Sequence, residues 1–286
     1  MRTTGTPPGT GRTRLVDTST ALGKLVAFLG ISVLCGVLVA GLMGPAVAMT
    51  GAAANGSVQF FDSLPSSLQT TPPAQVTRVL AADGSVIATL FTENRTEVPL
   101  SQISKSMQDA IVAIEDYRFY QHGGVDPLGI LRALTIDAGG GRQGASTLTQ
   151  QYVTNVLNED LIAQGKSADV VLNGAQKTIG DKLREMKLAI ALEQHMSKDQ
   201  ILAGYLNIVS FSGNAYGVQA AAQYLFSVDA KDLSLPQAAL LAGLVNGPGY
   251  YDPTAYPDRA VARRNLVLDA MLTHGYITQA QHDAAA

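Results

Sequence analysis

The chain has 286 residues, of which 47% are hydrophobic and 15% are charged, a length that suits one large domain or two small ones. Its formal net charge of −3 gives no reason to expect nucleic-acid binding. A single cysteine, Cys35, excludes a framework of disulfides within this sequence.

The N-terminal region has the pattern of a membrane anchor. Residues 1–24 contain four basic residues and one acidic residue, and no charged side chain occurs over residues 25–61. The apolar stretch 25–46 is long enough to cross a bilayer as a helix, and the basic residues before it predict a cytoplasmic N-terminus. The alternative is a cleaved signal peptide, because residues 46–48 fit a small-residue cleavage site, although the apolar stretch is longer than is usual for such signals.

A linker and a hairpin follow the apolar stretch. Residues 47–75 are rich in Ala, Gly, Ser, Thr and Pro, which is typical of a linker. Residues 76–99 place Asp83 and Gly84 between two β-prone runs, which predicts a β-hairpin.

From residue 101 onward the pattern is helical. Ser197 and Ser234 are placed to cap helices, and Gln237 completes a capping box with Ser234. Gly275 follows the end of the last long helix. We predict helices over 101–120, 146–157, 176–196 and 258–274, and a polar loop over 158–175. The sequence therefore predicts a mainly α domain with a small β element at its entrance.

The segment IVAIEDYRFYQHGGVD, residues 111–126, ends an apolar run at two adjacent carboxylates. Ile111 lies one helical turn before Glu115, Ile114 precedes it directly on an adjacent face, and Phe119 lies one turn after it. A carboxyl group against apolar surface has a raised pKa and can accept a proton near neutrality. The ordinary alternative is a solvated carboxylate at a helix end.

The residues that follow Glu115 can fold back towards it. We expect Asp116 to orient the turn through hydrogen bonds with the backbone. His122 and Asp126 follow at a spacing that the Gly123–Gly124 turn can reverse.

The segment GRQGASTLTQQYVTN, residues 141–155, places small and hydroxyl residues before a helix, where free backbone N–H groups attract phosphate. It lacks the lysine of a nucleotide-binding phosphate loop. Ser146 or Thr147 could alternatively be a simple helix cap. The neutral hydrogen-bonding groups suited to sugars here are Gln143, Ser146, Thr147, Gln150 and Gln151.

A second carboxylate lies on an apolar helix face in DKLREMKLAIALE, residues 181–193. Glu185 shares that face with Leu188 and Leu192, and Lys182 lies one turn earlier. A solvated, salt-bridged helix would explain the neighbouring Arg184 well and Glu185 poorly. The four histidines show no paired spacing for a metal, so no metal site is predicted.

Taken together and in this order, the motifs resemble the peptidoglycan glycosyltransferase domain (glycosyltransferase family 51) of class A, bifunctional penicillin-binding proteins. The resemblance covers residues 76–283. The matching segments are EDYRFYQHGGVD, QGASTLTQQ, KLRE, SKDQILAGYLN with GNAYGVQAAAQYLF, AALLAGLVNGPGYYDP and RAVARRNLVLDAML.

The resemblance implies a lysozyme-like, mainly α fold that polymerises lipid II into β-1,4 glycan strands with inversion and release of undecaprenyl pyrophosphate. It places Glu115 as the general base, Glu185 on the donor side, and Arg132 near the donor phosphates. It implies that no cofactor is required and that Mg²⁺ or Mn²⁺ could stimulate the activity. The implied partners are lipid II, the growing lipid-linked glycan, the membrane, and cell-wall synthesis or division proteins, without nucleic acid. The expected substrate-binding residues are Asp116, Phe119, His122, Arg132, Gln143, Gly144, Ser146, Thr147, Gln150, Gln151, Lys182, Arg184, Tyr205 and Asn207.

The sequence departs from the family pattern at three positions. Thr154 stands where the family usually has lysine, Asp181 where it has arginine, and Ala203 where it has glutamate. Asp181 also precedes Glu185 by four residues, a spacing at which like charges repel. We interpret these changes as variation within the family. For Tyr205 and Asn207, a core residue and a cap remain alternatives to a functional role.

Three functions are compatible with these residues: a membrane-anchored glycosyltransferase, a catalytically silent scaffold that binds lipid II or glycan, and a muramidase-type hydrolase. No SxxK acylation motif occurs, so penicillin binding is not predicted. The ending HDAAA resembles the start of a linker, and we expect a fragment or truncated product of a longer protein.

Overall fold

The computed structural model describes residues 72–138, 146–165 and 178–286, together with residues 29, 32, 61 and 63–68. The chain divides into two units, Met1–Ser63 and Leu64–Ala286, and the elements below belong to the second. The predicted tail, nearly all of the anchor and most of the linker lie outside the described residues. Within the described ranges, no helix has the length and apolarity needed to cross a bilayer.

The predicted hairpin is confirmed. Strand β1 (Thr77–Leu80) pairs antiparallel with β2 (Val86–Leu90). At the turn, the Asp83 carboxylate accepts hydrogen bonds from the backbone N–H and the hydroxyl of Ser85. Gly84 adopts a φ of +83°, which favours glycine because it has no Cβ.

A second small sheet joins distant parts of the chain. Strand β3 (Asn94–Arg95) runs parallel to β5 (Ala215–Tyr216), which pairs antiparallel with β4 (Ser210–Ser212). The strands are too short to show an alternating pattern, so this sheet was not predicted.

Helices make up most of the domain. In chain order they are α1 (Lys105–Glu115), α2 (Pro127–Ala138), α3 (Leu148–Ala163), α4 (Ile179–Glu193), α5 (Lys198–Ile208), α6 (Val218–Phe226), α7 (Leu235–Leu244), α8 (Pro257–Thr273) and α9 (Gln279–Ala285). Capping boxes at Ser197 and Ser234 confirm the predicted starts of α5 and α7. The domain is therefore mainly α with small β elements, as the sequence predicted.

Several predicted helix bounds are wrong. The helix predicted over 101–120 is only α1, because Ser104 caps its start by accepting from the Met107 N–H. It stops where Asp116 leaves helical geometry. The polar loop predicted from residue 158 begins later, because α3 continues through Ala163. The helix predicted from residue 176 begins at Ile179, after its cap Thr178.

The hydrophobic core fixes the end of α1. Helix α7 is buried nearly all round and packs against α1 and α8. On α1, the side chains of Met107, Ala110 and Ile111 are completely buried. Glu115, at the end of α1, is thereby held on a rigid and closely packed element.

Candidate active site

A cleft of about 960 Å³, here called the main cleft, lies beside the end of α1. Its walls come from the end of α1, the start of α2 and α3, the residues just after α7, and one side of α8. It is lined by Ala113, Ile114, Glu115, Asp116, Tyr117, Asp126, Gly129, Arg132, Ser146, Thr147, Gln151, Val245, Asn246, Arg263, Ala270 and His274.

Glu115 lies in the wall of the main cleft with its side chain only 12% exposed. Gln151 Nε2 donates a hydrogen bond of 2.8 Å to Glu115 Oε2, and the Arg263 guanidinium lies 4.0 Å from Oε1. Burial raises the pKa of the Glu115 carboxyl, partly opposed by the Gln151 hydrogen bond and the Arg263 charge. The predicted rise in the pKa of the Glu115 carboxyl is confirmed, with burial as its first cause.

Asp116 links three segments around the site. Its Oδ2 accepts a hydrogen bond from the backbone N–H of Leu148 (3.1 Å), and its Oδ1 lies 2.8 Å from His122 Nε2. The predicted hydrogen bonding to backbone is thus confirmed, although the partner is the start of α3. Burial alone lowers the pKa of His122, but the contacts with Asp116 and the Gly123 carbonyl raise it overall.

Thr147 and Gln150 are buried and point to the Gly124 backbone. The Gly124 carbonyl accepts from Thr147 Oγ1 (2.8 Å) and Gln150 Nε2 (3.3 Å). Gly124 is required here, because a Cβ would lie 2.4 Å from the Ala189 carbonyl. Both side chains therefore join the loop after α1 to α3, and only Thr147 also lines the main cleft.

Arg132 shares the main cleft with Glu115. Its Nη1 donates to the Tyr117 hydroxyl (2.7 Å), and its guanidinium lies 5.0 Å from the centre of that ring. The His274 ring stacks on Tyr117 at 4.0 Å. Burial and the nearby Arg132 lower the pKa of His274.

Glu185 lines a separate small cavity of about 170 Å³. The side chain is almost fully buried, accepts a hydrogen bond from Thr154 Oγ1 (2.8 Å), and lies 3.5 Å from Lys182 Nζ. Lys182 also donates to Ser146 Oγ (2.7 Å). The small cavity is lined by Ser146, Gln151, Thr154, Asn155, Lys182 and Glu185, and two of these, Ser146 and Gln151, also line the main cleft.

Six predicted substrate-binding residues line neither the main cleft nor the small cavity, and His122 and Gln150 are two of them. Phe119 lies fully buried in the core, with Lys198 Nζ 4.4 Å from its ring centre. The Asn207 amide pairs with the backbone of Val98: its Oδ1 accepts from the Val98 N–H, and its Nδ2 donates to the Val98 carbonyl. Arg184 is exposed on α4, and Tyr205 is buried behind Gln151. Gln143 and Gly144 fall outside the described residues.

Asp181 has a local role that the spacing argument missed. Its carboxylate accepts from the backbone N–H and the hydroxyl of Thr178, completing a capping box at the start of α4. An aspartate at this position suits the positive end of the helix dipole.

Sequence reasoning did not single out Arg263. On α8 this arginine shares a face with the buried residues Ala260 and Val267, three residues before it and four after it. A charged side chain on an apolar helix face is the same signal that identified Glu115. Applied to α8, that signal would have found Arg263.

The transglycosylase family model matches residues 83–272. The chain belongs to this family. It is 42% identical over 208 residues to penicillin-binding protein 1A of Escherichia coli (strain K12), covering 72% of this chain and 23% of that protein. It is 42% identical over 202 residues to penicillin-binding protein 1A of Streptococcus oralis, covering 70% of this chain and 30% of that protein.

A third relative extends further along the chain. Penicillin-binding protein 1A of Aquifex aeolicus (strain VF5) is 36% identical over 252 residues, which cover 87% of this chain and 33% of that protein. The transglycosylase chain thus spans between about a quarter and a third of the length of these relatives. The resemblance to the glycosyltransferase domain of class A penicillin-binding proteins is confirmed.

Proposed function

We propose that this transglycosylase domain polymerises lipid II, the undecaprenyl-pyrophosphate-linked disaccharide pentapeptide, into β-1,4 glycan strands. The observation that carries the proposal is Glu115, a carboxylate with a raised pKa in the wall of a large cleft, facing an arginine and a glutamine amide. A general base works best when its pKa lies near the working pH, and burial moves this carboxyl in that direction.

In the proposed reaction, Glu115 accepts the proton of the acceptor sugar's 4-hydroxyl. The hydroxyl oxygen forms a bond to the donor's anomeric carbon while the bond from that carbon to the pyrophosphate oxygen breaks. Attack from the face opposite the leaving group inverts the anomeric centre, as in inverting glycosidases. The pyrophosphate departs with the bonding electron pair.

The leaving group develops negative charge, which nearby cations would stabilise. Arg132 in the main cleft and Lys182 in the small cavity are the candidates for this role, with Glu185 orienting Lys182. Among the residues that the structure describes, no group of three His, Cys, Asp or Glu side chains is placed to hold a metal ion. Stimulation by Mg²⁺ or Mn²⁺, which the resemblance implies, stays a prediction.

We further propose that the chain is anchored through residues 25–46, with residues 1–24 in the cytoplasm. Residues 47–75 would then link the anchor to an extracytoplasmic domain over 76–283. Lipid II is confined to the bilayer, so tethering would give the enzyme a high effective concentration of substrate. Cell-wall synthesis or division proteins are the partners that fit this location.

A silent lipid II-binding scaffold is the second candidate, because of Thr154. The family's usual lysine would offer a charge to the pyrophosphate, whereas the Thr154 hydroxyl lies within hydrogen-bonding distance of Glu185 and of the Gln150 carbonyl. The retained Glu115, with Arg132 in the same cleft, favours the enzyme instead.

Incubation of the detergent-solubilised protein with fluorescent lipid II, followed by size separation, distinguishes these functions. A ladder of longer strands, absent with Glu115→Gln, is expected for the transferase. If lipid II binds but stays unchanged across a range of detergents and divalent ions, the result would support the silent scaffold and contradict the transferase. Shortened fragments from preformed glycan would indicate a hydrolase.

A further inference from the structure

The side-chain amide of Gln151 lies between the candidate base and a buried tyrosine. Its Nε2 donates to Glu115 Oε2 at 2.8 Å, and its Oε1 accepts from the Tyr205 hydroxyl at 2.9 Å. Tyr205 is on α5 and has no solvent exposure. The three side chains therefore form a continuous hydrogen-bonded chain from the core to the main cleft.

The Gln151 amide can rotate by a half-turn, which exchanges its oxygen and its NH₂ group. The two orientations require opposite protonation states of Glu115. With Nε2 towards Glu115, the amide donates to an ionised carboxylate. With Oε1 towards Glu115, the amide oxygen would need a donor, so the carboxyl would have to carry a proton. The orientation of Gln151 is thus coupled to the protonation of Glu115.

Tyr205 favours the first orientation. Burial and the nearby Glu115 charge raise its pKa well above the usual value, so the phenol keeps its proton and donates. Within the described part of the chain, the Gln151 oxygen is the acceptor that the structure gives this phenol. A reversed amide would leave a buried hydroxyl proton without that acceptor, and an unsatisfied buried donor costs free energy.

We propose that Tyr205 is a positioning residue that locks the Gln151 amide with its NH₂ group towards Glu115. This leaves Glu115 Oε1, the oxygen on the Arg263 side, to receive the acceptor hydroxyl. The inference deepens the proposed function, since it rests on Glu115 being the base. Tyr205 itself, buried behind Gln151, acts only through that side chain.

The proposal predicts how Glu115 titrates. In Tyr205→Phe the amide loses its fixed orientation, and the ionised carboxylate loses part of its support. A typical net hydrogen-bond contribution corresponds to a rise of about half to one unit in the Glu115 pKa. Gln151→Leu removes the amide and is expected to raise the pKa at least as much.

The hydrogen-bonded chain from Tyr205 through Gln151 to Glu115 is here called the relay. A double-mutant cycle distinguishes an effect through the relay from a general structural effect. Because Tyr205 acts through Gln151, adding Tyr205→Phe to Gln151→Leu is expected to cause no further rise. The matched control is Tyr152→Phe, which removes a half-buried hydroxyl that packs against Gly204, outside the main cleft. That control is expected to titrate like the unmodified protein.

The measurement is a ¹³C NMR titration of the full chain in detergent, with ¹³C-carboxyl-labelled glutamate. The sequence contains few glutamates, which makes assignment practicable, and Glu115→Gln identifies the resonance by its disappearance. The labelled positions are Glu93, Glu97, Glu115, Glu159, Glu185 and Glu193.

A rise with Tyr205→Phe that vanishes in the Gln151→Leu background supports the relay. An unchanged Glu115 titration in Tyr205→Phe, or equal rises in both backgrounds, overturns it. Because the titration needs no turnover, it also separates the two proposals. A raised Glu115 pKa in Tyr205→Phe, together with full activity of Glu115→Gln, would support the positioning role of Tyr205 and contradict the assignment of Glu115 as the base.

Discussion

Arg263 offers the clearest test of the electrostatics around Glu115. Its guanidinium lies 4.0 Å from Glu115 Oε1, and the two side chains are 15% and 12% exposed. At that distance two unit charges attract by about 1 kcal/mol in water and about 4 kcal/mol at an effective dielectric constant of ~20. Since 1.36 kcal/mol equals one pKa unit, Arg263→Gln should raise the Glu115 pKa by about 1 to 3 units.

The sign of the effect on activity follows from the role of the base. Only the ionised carboxylate can accept a proton, so activity rises with pH through the pKa of Glu115. A higher pKa moves the acidic limb of the pH profile of kcat/KM to higher pH by the same amount. The assay is the initial rate of lipid II consumption at subsaturating substrate across the pH range.

Two variants control for other consequences of the change. Arg259→Gln removes the same charge one turn earlier on α8, from an exposed side chain between Tyr250 and Tyr256, and should leave the limb in place. Arg263→Lys keeps the positive charge, so the acidic limb of its pH profile should lie close to that of the unmodified protein. An Arg263→Gln profile that superposes on the unmodified protein, or moves to lower pH, would refute the reasoning.

Three further predictions concern stability, substrate affinity and packing. Glu115→Gln should have a higher Tm than the unmodified protein at about pH 8 but not at about pH 4. The reason is that a carboxyl with a raised folded-state pKa contributes stability that is lost as pH rises through that value. Each kcal/mol corresponds to about 2–4 °C, and equal Tm values for the two proteins at pH 8 would contradict the burial argument. Thr154→Lys should lower the KM for lipid II by about tenfold through a charge-assisted contact with pyrophosphate, measured by steady-state kinetics, and an unchanged KM would argue against a phosphate near the small cavity. Gly124→Ala should destabilise the fold by about 1–3 kcal/mol in chemical denaturation, because its Cβ would meet the Ala189 backbone. Gly123→Ala, with no atom within 4 Å of its Cβ, should have little effect, and similar losses in both variants would contradict that account.

Local sequence signals predicted local structure well. The hairpin turn at Asp83 and the capping boxes at Ser197 and Ser234 depend on neighbours within four residues. The raised pKa of Glu115 was also predictable, because this residue closely follows a run of buried apolar residues on α1. In each case the deciding contacts are set by the periodicity of the chain itself.

Contacts between distant segments were not predictable in this way. α1 ends at Asp116, whose carboxylate binds the N–H of Leu148, 32 residues further on. Gln151 and Tyr205 meet across 54 residues, and Arg263 reaches Glu115 from a helix near the other end of the domain. Thr147 and Gln150, expected to contact sugar, both donate to the Gly124 carbonyl in a neighbouring loop, which their spacing did not indicate. Such roles depend on which elements pack together, and the spacing of residues does not encode that.

The single-turnover rate of lipid II polymerisation by Glu115→Gln tests the central claim most directly. The matched control is Glu97→Gln, which alters an exposed carboxylate outside the main cleft. Loss of a general base should slow the reaction by about 10²–10⁴-fold, while lipid II binding and the Glu97→Gln rate stay close to those of the unmodified protein. A Glu115→Gln rate within a few fold of the Glu97→Gln rate would contradict the assignment of Glu115 as the base.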